Sequence, residues 1–307
     1  MTTTNSSALA ALSAELARAV ATAGPSVVYV DANPRRDASG LVWDEHTIVT
    51  IDHVLEREDE IDILLADGAK ARATLAGRDP STDLALLRTE ATLVPAQRAN
   101  PGELAVGHLV LALGRDEDGA PGATLGVVSS LDGPWRTWRG GDVDRFIRPD
   151  LNVYPTFSGG PLIDASGKAV GINTWGLSRR MALTIPVTTV ERVVAQLART
   201  GRIRRGYLGV ALQAVRLPQN ARSALGLTQE SGAIVVDVAP DGPADRAGLL
   251  IGDVILAIGA TTVADSDDVQ RALGGDSVGT AQAVRVLRAG GRHELSIAIG
   301  ERPRDEG

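Results

Sequence analysis

The stretch Tyr154-Pro155-Thr156-Phe157-Ser158-Gly159-Gly160-Pro161-Leu162 sets a serine between a rigid proline and a pair of glycines. On its own, such a serine is a turn residue. It becomes a nucleophile only where a base takes its proton, a carboxylate orients that base, and hydrogen-bond donors meet the developing oxyanion. One alternative fails at once: a Gly-x-Ser-x-Gly elbow would need glycine where Thr156 stands.

An imidazole suits the base, because its unperturbed pKa near ~6.5 leaves it mostly neutral at pH 7. The chain has four histidines: His46, His53, His108 and His293. His53 lies in Ile48-Val49-Thr50-Ile51-Asp52-His53-Val54, directly after an apolar run ending in Thr50. Asp83 follows in Asp79-Pro80-Ser81-Thr82-Asp83-Leu84-Ala85, a frame that also reads as a turn cap.

Around these residues, from Gly24 to about Ile185, short apolar runs alternate with turn residues. Ser26–Val30, His46–Thr50, Glu60–Leu65, Leu84–Leu87, Leu109–Leu113, Gly126–Ser130 and Ala169–Asn173 all read as strands. Their regular spacing predicts an all-β barrel or sandwich. A helix opening at Pro186 presents Val190, Val193, Val194 and Leu197 on one face and ends at Gly201. Ahead of the strands, Leu9, Leu12, Leu16 and Val20 recur at helical spacing after a cap at Asn5-Ser6-Ser7. That predicts a helical segment over residues 1–23, packing on its own domain. The barrel unit then spans 24–201, and the basic run 202–206 is a solvated linker. A smaller unit occupies 207–300, with a tail at 301–307.

The order His53, Asp83, Ser158 and the three local frames resemble the HtrA (high temperature requirement) family of trypsin-like serine proteases. Gly171-Ile172-Asn173-Thr174 matches the strand that lines the substrate cleft in that family. The order of elements over 207–300 resembles a bacterial PDZ domain, with Pro243-Ala244-Asp245-Arg246-Ala247-Gly248-Leu249 and Gly252-Asp253-Val254-Ile255 as its markers. The resemblance implies a mainly β chain: a chymotrypsin-like double six-stranded β-barrel followed by a small α+β PDZ domain. It also implies roles. Ser158 would attack the scissile carbonyl, His53 would shuttle the proton, and Asp83 would hold the imidazole in the right tautomer.

The implied oxyanion hole uses the backbone N–H groups of Ser158 and Thr156. That family normally has glycine at the second position, and a β-branched residue resists positive φ by about 1–2 kcal/mol. Thr156 is therefore expected to weaken or gate catalysis without abolishing it, whereas a loop that holds it at ordinary φ would lose nothing. Phe157 is expected at or beside the specificity-pocket entrance, and Ile172, Asn173, Thr174 and Trp175 along the cleft. The loop Pro134–Gly141 either packs its tryptophans on the barrel or relays regulation. In the PDZ-like unit, Tyr207-Leu208-Gly209-Val210 resembles the carboxylate-binding loop, and the helix Ser266–Leu273, through Val269 and Leu273, the far wall of a peptide groove.

The remaining features exclude other classes. A net charge of −7 offers no basic field for nucleic acid. The absence of cysteine removes disulfides, thiolate metal sites and cysteine nucleophiles together. No Cys/His/Asp/Glu cluster has metal-ligand spacing, so neither metal nor cofactor is expected. No apolar run is long enough to span a membrane. Residues 1–23 lack a basic start and are interrupted by Glu15 and Arg18, so they make a poor signal peptide and point to a cytoplasmic protein. The expected function is serine endopeptidase action on unfolded or exposed protein segments. Peptide C-termini are the expected PDZ partners, and a homo-oligomer is possible. The rival is a protease-fold pseudoenzyme that binds peptides through its PDZ domain.

Overall fold

The computed structural model describes residues 7–33, 36–56, 60–178, 180–274 and 277–301. It divides into two compact units, one up to Ile203 and one from Arg204 onward. Within the first, helix α1 (Ala8–Ala23) is capped by Ser7, whose Oγ accepts the Ala10 N–H at 3.2 Å. The other expected cap residues, Asn5 and Ser6, lie outside the described residues. The C-terminal half of α1 packs as expected: Ala19 and Ala23 are buried against Leu111, Leu113 and Ile163, with Leu16 and Val20 beside them. Leu9 and Leu12 stay exposed.

Strands β1 (Val27–Asn33), β2 (Arg36–Asp44), β3 (Thr47–Thr50), β4 (Ile61–Leu64), β5 (Lys70–Asp79) and β6 (Leu84–Thr89) close a barrel in the order β1-β2-β3-β6-β5-β4. Its core includes Leu41, Ile48, Ile51, Ile61, Leu84 and Leu87, all essentially without solvent exposure. A second closed barrel uses β7 (Leu109–Arg115), β8 (Pro121–Asp132), β11 (Phe146–Asp150), β12 (Pro161–Asp164), β13 (Ala169–Thr174) and β14 (Leu183–Pro186). A two-stranded hairpin, β9 (Trp135–Arg136) and β10 (Asp142–Val143), stands between β8 and β11. Helix α2 (Val187–Thr200) then lays Val190, Val193, Val194 and Leu197 into the first barrel's apolar cluster, the face its spacing predicts. Closure leaves the strands of each barrel without a free edge.

The second unit is a five-strand path, β16 (Val210–Arg216), β17 (Ser231–Val238), β18 (Val254–Ile258), β20 (Ala281–Arg288) and β21 (Gly291–Ala298). A short β19 (Thr261–Thr262) pairs with β18, and β15 (Gly206–Tyr207) pairs with β22 (Gly300–Glu301). Three helices complete it: α3 (Gln219–Leu225), α4 (Pro243–Arg246) and α5 (Ser266–Ala272). Asp265 opens α5 through a reciprocal cap with Asp268. Of the expected linker, Arg202 bridges Arg78 and Gly206 belongs to β15. Residues 302–307 of the expected tail lie outside the described residues.

Candidate active site

Asp83 is the buried anchor of the site, 1% exposed, and its backbone takes a left-handed conformation at φ 59°. Aspartate tolerates that region because its short polar side chain bonds locally. The turn leading into it is built by Asp79, whose buried carboxylate accepts from the Ser81 N–H at 3.1 Å and the Thr82 hydroxyl at 2.7 Å. The Asp-x-x-Thr-Asp frame is thus a self-bonded turn that presents Asp83.

His53 meets that carboxylate twice. Its Nδ1 lies 2.9 Å from Oδ2 and 3.0 Å from Oδ1, and its backbone N–H donates to Oδ1 at 3.0 Å. With Nδ1 as donor to the carboxylate, Nε2 is the ring nitrogen left to act as base. Thr174, on β13, donates its hydroxyl to Asp83 Oδ2. Gly176 follows closely: a Cβ there would lie 2.3 Å from Asp83 Oδ2 and 2.7 Å from His53 Nδ1, so no larger residue fits. His46 and His108 instead contact backbone groups of Ala91 and Ala105.

A second buried carboxylate braces the histidine turn. Asp52 is 4% exposed and pairs with Arg78, which also donates to the carbonyls of Asp52 and Leu55. Burial pushes the Asp52 carboxyl above its ordinary range, Arg78 pulls it back down, and the nearby Asp83 and Asp79 charges add to the push. Neither residue was singled out from sequence, although an acidic residue directly before His53 was visible there.

Ser158 is buried, at 3% exposure. Its loop is tied to the strand that carries Thr174: Gly159 N–H donates to the Asn173 carbonyl, and Asn173 N–H to the Gly160 carbonyl, both at 2.9 Å. Gly159 sits at φ 85°, where a Cβ would meet the Ser39 carbonyl at 2.1 Å. Strand β13 thereby brings the Ser158 loop and the Asp83–His53 pair to one place.

The two residues expected to supply the oxyanion donors lie in a short turn. Residues Pro155–Phe157 form a 3₁₀ turn, in which the Phe157 N–H donates to the Tyr154 carbonyl at 2.9 Å and the Ser158 N–H to the Pro155 carbonyl at 3.1 Å. The Ser158 donor is therefore spent inside the loop. Thr156 lies within this turn and is absent from the positive-φ residues. The β-branched residue is therefore unstrained.

The other residues expected along the cleft take varied places. Phe157 is 7% exposed and packs in the second barrel's core. Its ring occupies the gap left by Gly114 and Gly122, which face each other across β7 and β8. Ile172 is fully buried, and Asn173 is buried with Oδ1 accepting from Thr184 at 2.9 Å. Trp175 is 41% exposed, donates to the Val153 carbonyl at 3.1 Å, and lines a pocket of about 400 Å³ together with Arg148, Asn152 and Met181. In the preceding hairpin Trp135 packs edge-on against Phe146, whereas Trp138 is exposed with Arg139 over its ring. Thr137 donates to the Ser81 carbonyl at 2.6 Å, strapping that hairpin to the turn that presents Asp83.

In the second unit, Leu208, Val269 and Leu273 are core residues. The loop between β15 and β16 is oriented by its carbonyls: Leu208 accepts from Ala244 and Gly209 from Ala239, each at 2.8 Å. Val210 and Leu212 are half-buried on β16, which ends the strand order and, among the described residues, pairs there with β17 alone. Among the described residues, no group of acidic, histidine or cysteine side chains could hold a metal ion, and no helix is long and apolar enough to cross a membrane.

Paired six-stranded barrels, a His–Asp couple and a Ser-Gly-Gly-Pro loop held to the same strand define a chymotrypsin-type serine protease fold followed by a PDZ-like unit. The solved HtrA-type protease AlgW with tripeptide is similar at a TM-score of 0.75 and 32% identity, covering 95% of this chain and 99% of that one. The chain belongs to the HtrA-type protease family. Residues 38–172 match the trypsin-like peptidase domain and residues 206–299 the PDZ domain. The serine endoprotease from Yersinia pestis gives a TM-score of 0.75 at 29% identity over 94% of this chain and 98% of that one.

Among curated relatives, the probable periplasmic serine endoprotease DegP-like of Pseudomonas fulva is 35% identical over 266 residues, covering 85% of this chain and 54% of that protein. Its namesake from Brucella suis is 36% identical over 283 residues, covering 89% and 54%. The chain thus spans about half the length of these relatives. Their periplasmic naming overturns the cytoplasmic expectation. That expectation rested on the character of residues 1–23 as a poor signal peptide; residues 8–23 form helix α1, an element of the fold that does not report the compartment.

Proposed function

We propose that this chain is a serine endopeptidase of the periplasmic type, cleaving unfolded or exposed protein segments through Ser158, His53 and Asp83. The Asp83 carboxylate, buried and holding His53 Nδ1 at 2.9 Å, is the observation that carries the reading. It fixes the tautomer in which Nε2 accepts the Ser158 proton as Oγ attacks the scissile carbonyl, then returns that proton to the leaving amine. Thr174 and the backbone of His53 keep the carboxylate oriented, so the base is preorganised. The oxyanion hole is not. Freeing the Ser158 N–H requires the Pro155–Thr156 peptide to invert, which also turns the Thr156 N–H inward as the second donor. The resting loop is therefore a closed form of an enzyme. The relatives named as endoproteases favour this over the pseudoenzyme reading.

The unpaired side of β16 supports peptide binding by strand addition, with the loop at Tyr207–Val210 receiving a C-terminal carboxylate. Neighbouring solved proteases are described with a tripeptide and a decapeptide, in keeping with peptide partners here. Homo-oligomerisation stays part of the proposal. A fluorophosphonate probe tests the enzyme: labelling at Ser158 that disappears in Ser158→Ala and in His53→Ala supports it. A folded wild-type chain that never labels, with or without added peptide, refutes it.

A further inference from the structure

Ser39, on β2, has no solvent exposure and was not singled out from sequence. Its backbone N–H donates to the Ser158 carbonyl at 2.9 Å. Its Oγ lies 2.6 Å from the Thr156 carbonyl and 2.9 Å from the Arg115 N–H. An amide N–H only donates, so Oγ accepts from Arg115 and its single proton goes to Thr156. Arg115 is itself immobilised: its buried guanidinium donates to the carbonyls of Val27 at 2.8 Å and Gly24 at 2.9 Å. The Ser39 carbonyl in turn accepts the Thr50 hydroxyl at 2.8 Å.

One residue thus grips the carbonyls on both sides of Phe157, whose ring is wedged against Gly114. The Pro155 carbonyl, by contrast, is held by the Ser158 N–H within the turn. Rotation about Pro155 ψ and Thr156 φ inverts that peptide while the Thr156 carbonyl stays put.

We propose that Ser39 is a positioning residue of the nucleophile loop, its hydroxyl fixing the Thr156 carbonyl so that the oxyanion hole opens by inversion of one peptide and not by refolding of the loop. The inference rests on Ser158 being the nucleophile. Its alternative is a hydroxyl that merely satisfies a buried N–H of Arg115.

The test compares Ser39→Ala with Thr50→Val, which removes an equally buried hydroxyl that also lies beside the loop, near Gly159, but bonds the Ser39 carbonyl and not the Thr156 carbonyl. In Ser39→Ala, kcat and the fluorophosphonate labelling rate fall about 10–100-fold with KM within about threefold, the scale for a displaced reacting group or lost oxyanion donor. Thr50→Val loses thermal stability but less than about threefold in kcat. Hydrogen exchange reads the pin without activity: the Phe157 and Ser158 amides accelerate at least about tenfold in Ser39→Ala, while those of Leu111 and Leu113 do not. If Ser39→Ala does not fold, Ser39→Cys keeps the volume with a weaker donor and shows the same pattern at smaller size. Unchanged kcat and exchange overturn the proposal, as does an equal kcat loss in Thr50→Val. An inert wild type with accelerated exchange in Ser39→Ala sinks the enzyme reading and keeps the pin. An inert wild type with unchanged exchange sinks both.

Discussion

Replacing Thr156 with glycine should make the enzyme faster. In the closed loop the Ser158 N–H is bonded to the Pro155 carbonyl at 3.1 Å, and Thr156 sits in a 3₁₀ turn at ordinary φ. Opening breaks that bond, at a net cost of about 0.5–1.5 kcal/mol. The crankshaft motion also turns Thr156 φ through about half a circle, from negative into the region a β-branched residue resists by roughly 1–2 kcal/mol. The sum, about 1.5–3.5 kcal/mol, leaves the open form at about 8% or less. Glycine removes only the second part. At about 1.4 kcal/mol per factor of ten, Thr156→Gly raises the open population, and with it kcat, roughly 5–30-fold. The assay is kcat on an unfolded protein substrate, alongside the fluorophosphonate labelling rate, which reports the hole without product release. Glycine's extra chain entropy lowers the melting temperature slightly and leaves the sign of the kcat change intact. A folded Thr156→Gly chain with unchanged or reduced kcat would refute the gate.

Asp83→Asn should fold and bind substrate yet lose about 10⁴ in kcat, because an amide no longer enforces the His53 tautomer; retention of more than a tenth of the rate would contradict the assignment. Arg78→Met leaves the Asp52 carboxylate buried beside Asp83 and Asp79, destabilising the fold by about 3 kcal/mol at neutral pH in urea unfolding. Asp52 has a raised folded pKa, so the folded state holds its proton more tightly, and its contribution to stability falls as pH climbs above the ordinary aspartate value; Arg78→Met should carry that fall to higher pH, and a pH-independent penalty would exclude it. A free-acid peptide that binds the second unit should lose at least about tenfold in affinity as its C-terminal amide, measured by fluorescence anisotropy; equal affinities would rule out the carboxylate loop.

His53 and Asp83 were legible because each sits in a short local frame, one at the end of a strand and one in a self-bonded turn. The strands of the barrels were only partly legible. β2 carries Gly40 and a charged end, and β5, running Lys70–Asp79, is dominated by small and charged residues. β2 shows no apolar alternation, and that of β5, Ala71, Ala73 and Leu75 between Lys70, Arg72 and Thr74, rests on mostly small residues; both are held by ladders to the strands before and after them, β2 by β1 and β3 and β5 by β4 and β6. The burial of Phe157 was not legible either. Its ring direction depends on the 3₁₀ turn and on two glycines in other strands, and the paired Gly114 and Gly122 were the one signal that a large side chain was to be seated there. Ser39 was invisible because a serine beside glycine in a strand reads as nothing until the carbonyls it grips are known.

The site divides into a part that is finished and a part that is not. Asp83, Thr174, Gly176 and the Asp52–Arg78 pair leave the acid–base couple little room to move, so substrate binding has nothing to assemble there. On the proposed reading the oxyanion donors alone await a conformational step, worth about 1.5–3.5 kcal/mol by the terms above. A gap of that size is within reach of a single peptide ligand, since a preference of about 10–400-fold for the open form is enough to cancel it. A ligand that bound both forms equally would activate nothing, however tightly it bound. Activation by any peptide must therefore saturate at the rate of the fully open loop. Thr156→Gly, already part of the way there, must show a smaller fold-activation by the same peptide than the wild type does; an equal fold-activation would mean that the peptide acts somewhere other than the Pro155–Thr156 peptide group.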